Sequence, residues 1–62
     1  MWDKLKVLAD FLQTDEAELK MWNDDSITFY NNDRFEYILK RRKSNTYMEF
    51  LGKHKGFFIY KN

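Results

Sequence analysis

The sequence predicts an α+β domain, two short N-terminal helices packed on a small antiparallel sheet of about four strands. Three observations lead there. Apolar residues recur at spacings of three and four in residues 2–12 and again in 15–22. Residues 27–61 switch to short β-branched and aromatic runs whose members alternate in side, as half-buried strands do. The polar clusters NDDS, NND and GKHKG separate those runs. The 62 residues contain no Pro, no internal repeat and no linker, so they are read as one domain, 1–62.

In the first element Trp2, Leu5, Leu8, Ala9 and Leu12 form an apolar stripe with Lys4, Lys6 and Asp10 between them. Gln13 and Thr14 interrupt it. Thr14 is the expected N-cap of a second helix at about 15–22, which places Asp15, Glu16 and Glu18 in its positively polarised first turn. Residues 27–30 (ITFY) and 34–41 (RFEYILKR) then read as a hairpin. A helix over 34–42 is the rival: Asp33 and Glu36 have capping-box spacing, and Phe35, Ile38, Leu39 and Arg42 fit a helical stripe. Residues 46–51 and 57–61 make a second hairpin with Gly52 and Gly56 bounding its loop.

On the strand reading Phe35, Tyr37 and Leu39 share one face and Ile38 takes the other; Phe57 and Ile59 likewise oppose Phe58 and Tyr60. Large apolar groups therefore lie on both faces of the sheet. Two short helices cover only one face. The other is expected to be exposed, paired with a second copy, or used to hold a partner.

A chain this short buries only about 60% of its unfolded surface. Twelve aromatics and no cysteine mean that rings, not disulfides, supply the stabilisation, which suits a reducing compartment and predicts a cytoplasmic protein. No apolar run is long enough for a signal peptide or a membrane span, so no membrane partner is expected. The net charge of +1 conceals an asymmetry: residues 1–33 carry three Lys against eight acids, and residues 34–62 carry eight Lys or Arg against two acids. Such a split marks two contact surfaces or two halves that attract each other.

Leu5, Leu8, Ala9, Leu12, Leu19 and Trp22 resemble the spaced apolar and small positions of the helix-turn-helix in phage repressors and excisionases. That resemblance implies that Ala9 marks the helix contact, that Leu19 and Trp22 face inward, and that ITFYNNDRFEYIL forms a β-hairpin wing. Gln13 departs from it, standing where the family usually has Gly. The outward residues depart further. Asp15, Glu16, Lys20, Met21 and Asp24 would meet the DNA, and several carboxylates beside a polyanion oppose the phosphate attraction that supplies most of the affinity. The order LADFLQTDEAEL and then DDSITFYNNDRFEYIL is also similar to small phage and plasmid proteins with an acidic helical segment before a short hairpin, some of which accompany antirestriction functions.

Two charged constellations compete for function. Asp15, Glu16, Glu18, Asp24 and Asp25 form an acidic array that can imitate a row of phosphates, with Met21 and Trp22 as apolar anchors for a larger protein. Lys40, Arg41, Arg42 and Lys43, with Lys53 and Lys55 of GKHKG, could instead form a basic surface bearing Tyr37, Tyr47 and the FFIY rings, on which single-stranded nucleic acid stacks. Each cluster can equally be a solvated surface.

No chemistry of bond-breaking is indicated. His54 is the only histidine, so no zinc ligand set and no metal or other cofactor is expected. Ser26 and Ser44 lack an evident base, and Asp24-Asp25 beside Ser26 read as cap and turn residues rather than as paired catalytic carboxylates.

The sequence thus predicts a non-catalytic binding protein, a small regulator or inhibitor of the phage or mobile-element kind that blocks a nucleic-acid-processing host protein. The alternative is a nucleic-acid-binding regulator of transcription or recombination acting through Lys40, Arg41, Arg42, Lys43, Tyr47, Lys53 and Lys55. A homodimer through the surplus apolar sheet face is the third reading.

Overall fold

The computed structural model describes residues 2–23 and 26–62; Asp24 and Asp25, placed in the acidic array by the sequence, lie outside the described residues. It is an α+β fold with one α-helix, α1 (Lys4–Leu12), a 3-10 turn (Glu16–Glu18), and five strands: β1 (Leu19–Met21), β2 (Ser26–Phe29), β3 (Asn32–Lys40), β4 (Glu49–His54) and β5 (Phe57–Lys61). The strands form one antiparallel-paired sheet in the order β1-β2-β3-β5-β4.

Helix α1 follows its stripe. Asp3 is the N-cap and accepts from the Lys6 N–H at 2.8 Å. At the other end Gln13 adopts φ 57° and ψ 47°, and the N–H groups of Gln13 and Thr14 donate to the carbonyls of Asp10 and Ala9. That bonding is a Schellman closure with glutamine at the position glycine usually holds.

The second helix expected at 15–22 is not formed. Asp15 is the N-cap of the 3-10 turn without a side-chain bond, Thr14 caps nothing there, and the chain enters β1 at once. Leu19 is paired with Phe29 and Met21 with Ile27, and the Tyr30 N–H donates to the Glu18 carbonyl. An eight-residue helix is marginal on its own, and β2 offers an edge of unpaired backbone groups that a strand satisfies and a helix does not. The sheet gains a fifth strand from this exchange.

Both hairpins form. β2 pairs with β3, and the rival helix over 34–42 is excluded by strand pairing from Asn32 to Lys40. β4 pairs with β5 through a two-residue Lys55-Gly56 turn with both residues at positive φ, 50° and 85°, the signature that suits a tight hairpin's twist. The loop is shorter than GKHKG, and Gly52 lies inside β4 rather than at its end. The register shifts between Phe50 and Gly52, and Gly52 stands at φ 152°, where a Cβ would meet the Phe11 ring at 3.5 Å. The Phe11 ring of α1 therefore packs over this bulge.

The core lies between α1 and one sheet face. Val7, Leu8 and Ala9 meet Leu19, Ile27, Tyr37, Leu39, Phe57 and Ile59, with Phe11, Phe29, Phe35 and Leu51 packed around them. Tyr37 stacks edge-on against Phe29, with ring centres 6.1 Å apart. At the rim of α1, His54 Nε2 and Asp10 Oδ2 approach to 2.5 Å.

β5 is inserted between β3 and β4, so β3 and β4, each antiparallel to β5, run parallel to one another. Residues 41–48 connect them by crossing β5 on the face away from α1. The Ser44 N–H donates to Tyr60 Oη at 2.9 Å, and the phenol lies back toward the Ser44 carbonyl at 3.4 Å. This crossing buries Tyr60 to 2% exposure although the helix covers the other side.

Candidate nucleic-acid interface

Sheet register determines which side chains share the face that α1 leaves uncovered; segment 41–48 lies over Tyr60 on this face, and Phe50 beside it stays exposed. Ser26 is opposite Ile38, Ile38 opposite Tyr60, and Tyr60 opposite Phe50, which gives a row across four strands. The next row is Lys40, Phe58 and Lys53. On the far side lie Lys20, Thr28 and Glu36. Apart from Glu36, every charge in these three rows is a cation.

The rings are grouped. Phe50 lies 6.2 Å from Phe58 and 5.4 Å from Tyr60, centre to centre, and Phe50 remains 45% exposed. Lys43 Nζ stands 5.5 Å from the Phe50 ring centre and Lys53 Nζ 5.0 Å from that of Phe58. A cation over a ring is held by the ring quadrupole without being neutralised, so it still meets a phosphate. The crossing segment 41–48 also carries Tyr47, which is wholly exposed, and Arg42, which is exposed too.

The basic residues named from the sequence divide. Lys40, Lys43 and Lys53 join the uncovered face. Arg41 instead lies over Phe57, 4.1 Å from the ring centre, at the β4–β5 turn, and Lys55 lies over Trp2 at 4.6 Å. Tyr37 does not belong to the surface: it is buried under α1, and this burial pushes its phenol pKa up. His54 has turned toward Asp10 and Phe11 on the helix side.

The acidic set divides more sharply. Asp15, Glu16 and Glu18 are exposed on the 3-10 turn, and the first two border a hollow of about 210 Å³ with Trp2, Lys6, Ala9, Asp10 and Thr14, on the helix side. Met21 shares the side of Leu19, by alternation along β1. Trp22 goes to the opposite face: its Nε1 donates to Thr28 Oγ1 at 2.7 Å, and Lys20 Nζ lies 4.1 Å from its ring centre. Of the two expected anchors, Trp22 is parted from the helix-side carboxylates Asp15 and Glu16, and Met21 is not.

Phe50 and Tyr30 were not singled out by sequence, and Lys20 was named only as an outward residue of the second helix, which does not form. Simple alternation through β4 assigns Phe50 and Lys53 to opposite faces; the extra residue at the bulge brings them to the same one. Among the described residues no group of three or more His, Asp or Glu is placed to hold a metal ion, and no helix is long and apolar enough to cross a membrane. No protein-family model matches the chain, and comparison with curated proteins and with solved structures gives no match.

Proposed function

We propose that this protein binds single-stranded nucleic acid, without catalysis, on the uncovered face of its sheet, as a small cytoplasmic regulator of the mobile-element kind. The observation that carries the reading is the gathering of Phe50 and Phe58 with Lys40, Lys43 and Lys53 on that face. Rings stack on bases whatever the sequence, and the lysines attract the phosphates. Lys40 at the end of β3 and Arg42 and Lys43 of the crossing segment bring the charge; Tyr47, wholly exposed, adds a ring.

The test is anisotropy of labelled single-stranded and duplex DNA across a salt series. Saturable binding is expected, tighter for the single strand and weakening as salt rises. Neutralising Lys40, Lys43 and Lys53 together by Gln should reduce the slope of log affinity against log salt by about 2, from roughly 0.7 per lost phosphate contact. An unchanged slope would remove these lysines from the site, and absence of binding at low salt would end the reading.

A second reading keeps the inhibitor class. Asp15, Glu16 and Glu18 are all exposed at the 3-10 turn, and Asp15 and Glu16 border the hollow beside α1, an arrangement that suits capture of a basic groove on a larger nucleic-acid-processing protein. If it holds, replacing the three by Lys abolishes capture of such a protein in a pull-down while DNA binding persists. Capture that survives the reversal excludes the acidic face.

A further inference from the structure

We infer that the hollow between Trp22 and Tyr30 is a second stacking station, which takes one unpaired nucleobase of the strand held by Phe50 and Phe58. The inference rests on the nucleic-acid reading and adds to it a site at the other side of the sheet. The hollow encloses about 290 Å³ and is lined by Trp22, Thr28, Phe29, Tyr30, Asn31 and Asn32. Its two flanking rings are the most exposed large apolar groups after Tyr47: Trp22 is 57% and Tyr30 62% in solvent. A ring is recognised best by a ring, and both of these are placed before any ligand arrives.

Trp22 is not a loose side chain. The Nε1–Thr28 bond pins one edge of the indole and Lys20 lies over its ring, so its orientation is fixed in advance and little freedom is lost on stacking. Of the remaining lining, Thr28 is buried with its hydroxyl committed to Trp22, and exposed Asn31 offers a carboxamide that donates and accepts as a base edge requires.

Charge selects the occupant. No lining residue is charged, and a cationic ligand is disfavoured because Lys20 already lies at the Trp22 ring. A planar base on an anionic backbone suits both facts, since the base enters the hollow and Lys20 meets its phosphate. Thr28 shares the uncovered face with Phe58, and β2 is two strand spacings from β5, about 10 Å. Glu36 stands on that face between the stations. Its charge keeps phosphates to the two sides, near Lys20 and near Lys40, Lys43 and Lys53.

The experiment uses the Trp2→Phe chain, in which Trp22 is the sole indole. Unlabelled oligothymidylate and an abasic strand of equal length are titrated while Trp22 emission is followed, with anisotropy of end-labelled copies in parallel. Oligothymidylate should quench Trp22 in step with binding, and the abasic strand should bind through its phosphates with no change in emission. Trp22→Ala and Tyr30→Ala should each weaken oligothymidylate by at least about fivefold, the low end of a lost base stack, and leave abasic affinity unchanged. Binding with unaltered emission, and Tyr30→Ala equal to the parent, overturns the station while leaving the proposed function intact. No anisotropy change with either strand overturns both.

Discussion

Gln13 holds φ 57° to end α1, a conformation in which every side chain but glycine's crowds the following carbonyl. We predict that Gln13→Gly stabilises the fold by about 0.5–1 kcal/mol, measured by urea unfolding, because relief of that crowding exceeds the added freedom of the unfolded chain. No gain would mean that the Gln side chain has a compensating contact. Gly52 is the reverse case. At φ 152° beside Phe11, Gly52→Ala should cost about 1–3 kcal/mol, and a stability within error of the parent would show that the bulge relaxes. Tyr37 gives a pH dependence. Its folded-state pKa is raised by burial, so the unfolded chain releases this proton first, near pH 10. The stability it contributes is full below that pH and is lost as pH rises through the folded value. Tyr37→Phe should flatten that decline in urea titrations at alkaline pH.

At the scale of elements, what was legible in the sequence depended on how local the deciding interaction is. The stripe of α1, the two hairpins, and the opposite facing of Tyr37 and Ile38 were legible because period and turn chemistry lie within a few residues. Residues 15–22 were not: Leu19 and Trp22 fit a helix by their spacing, Leu19 and Met21 fit a strand, and β2, whose paired residues stand six to ten positions on, decided between them. The candidate site was legible in its ingredients and not in its assembly. The basic cluster and the FFIY rings were visible; the bulge that turns Phe50 toward Phe58 and the pinning of Trp22 on Thr28 depend on pairings that sequence order does not reveal. The crossing segment yields a prediction at this scale. Tyr60→Phe removes the phenol bonds to Ser44 and should cost about 1 kcal/mol, with faster amide exchange confined to residues 41–48. Exchange that spreads through β5 instead would show that the phenol supports the sheet as a whole.

Across the whole molecule, the charge asymmetry between the two halves of the sequence becomes an asymmetry of sides. The exposed acids of the 3-10 turn lie with α1, and three of the six cation–ring pairs among the described residues, those of Lys20, Lys43 and Lys53, lie on the uncovered face. A polyanion therefore has a preferred approach, and the acids on the far side discourage a second strand from binding there. The same uncovered face was expected from sequence either to pair with a copy or to hold a partner. Sedimentation at several concentrations separates these outcomes: a monomer throughout supports the open face as a ligand surface, and a concentration-dependent dimer that DNA dissociates places both on the same rings.

The insertion of β5 between β3 and β4 also sets an order of events. β4 has only β5 as a neighbour in the sheet, so when β4 emerges it has no strand to pair with until Phe57 and the residues after it follow. The early part, α1 with β1, β2 and β3, lacks Phe57 and Ile59 and so lacks one wall of its core. β4 and β5 must zip through their tight turn and dock as a hairpin onto β3, carrying segment 41–48 across as they close. A chain cut after Gly56 should accordingly show no cooperative melting, and the interval before β5 is complete is when the early strands stand with open edges, most exposed to pairing with the wrong chain.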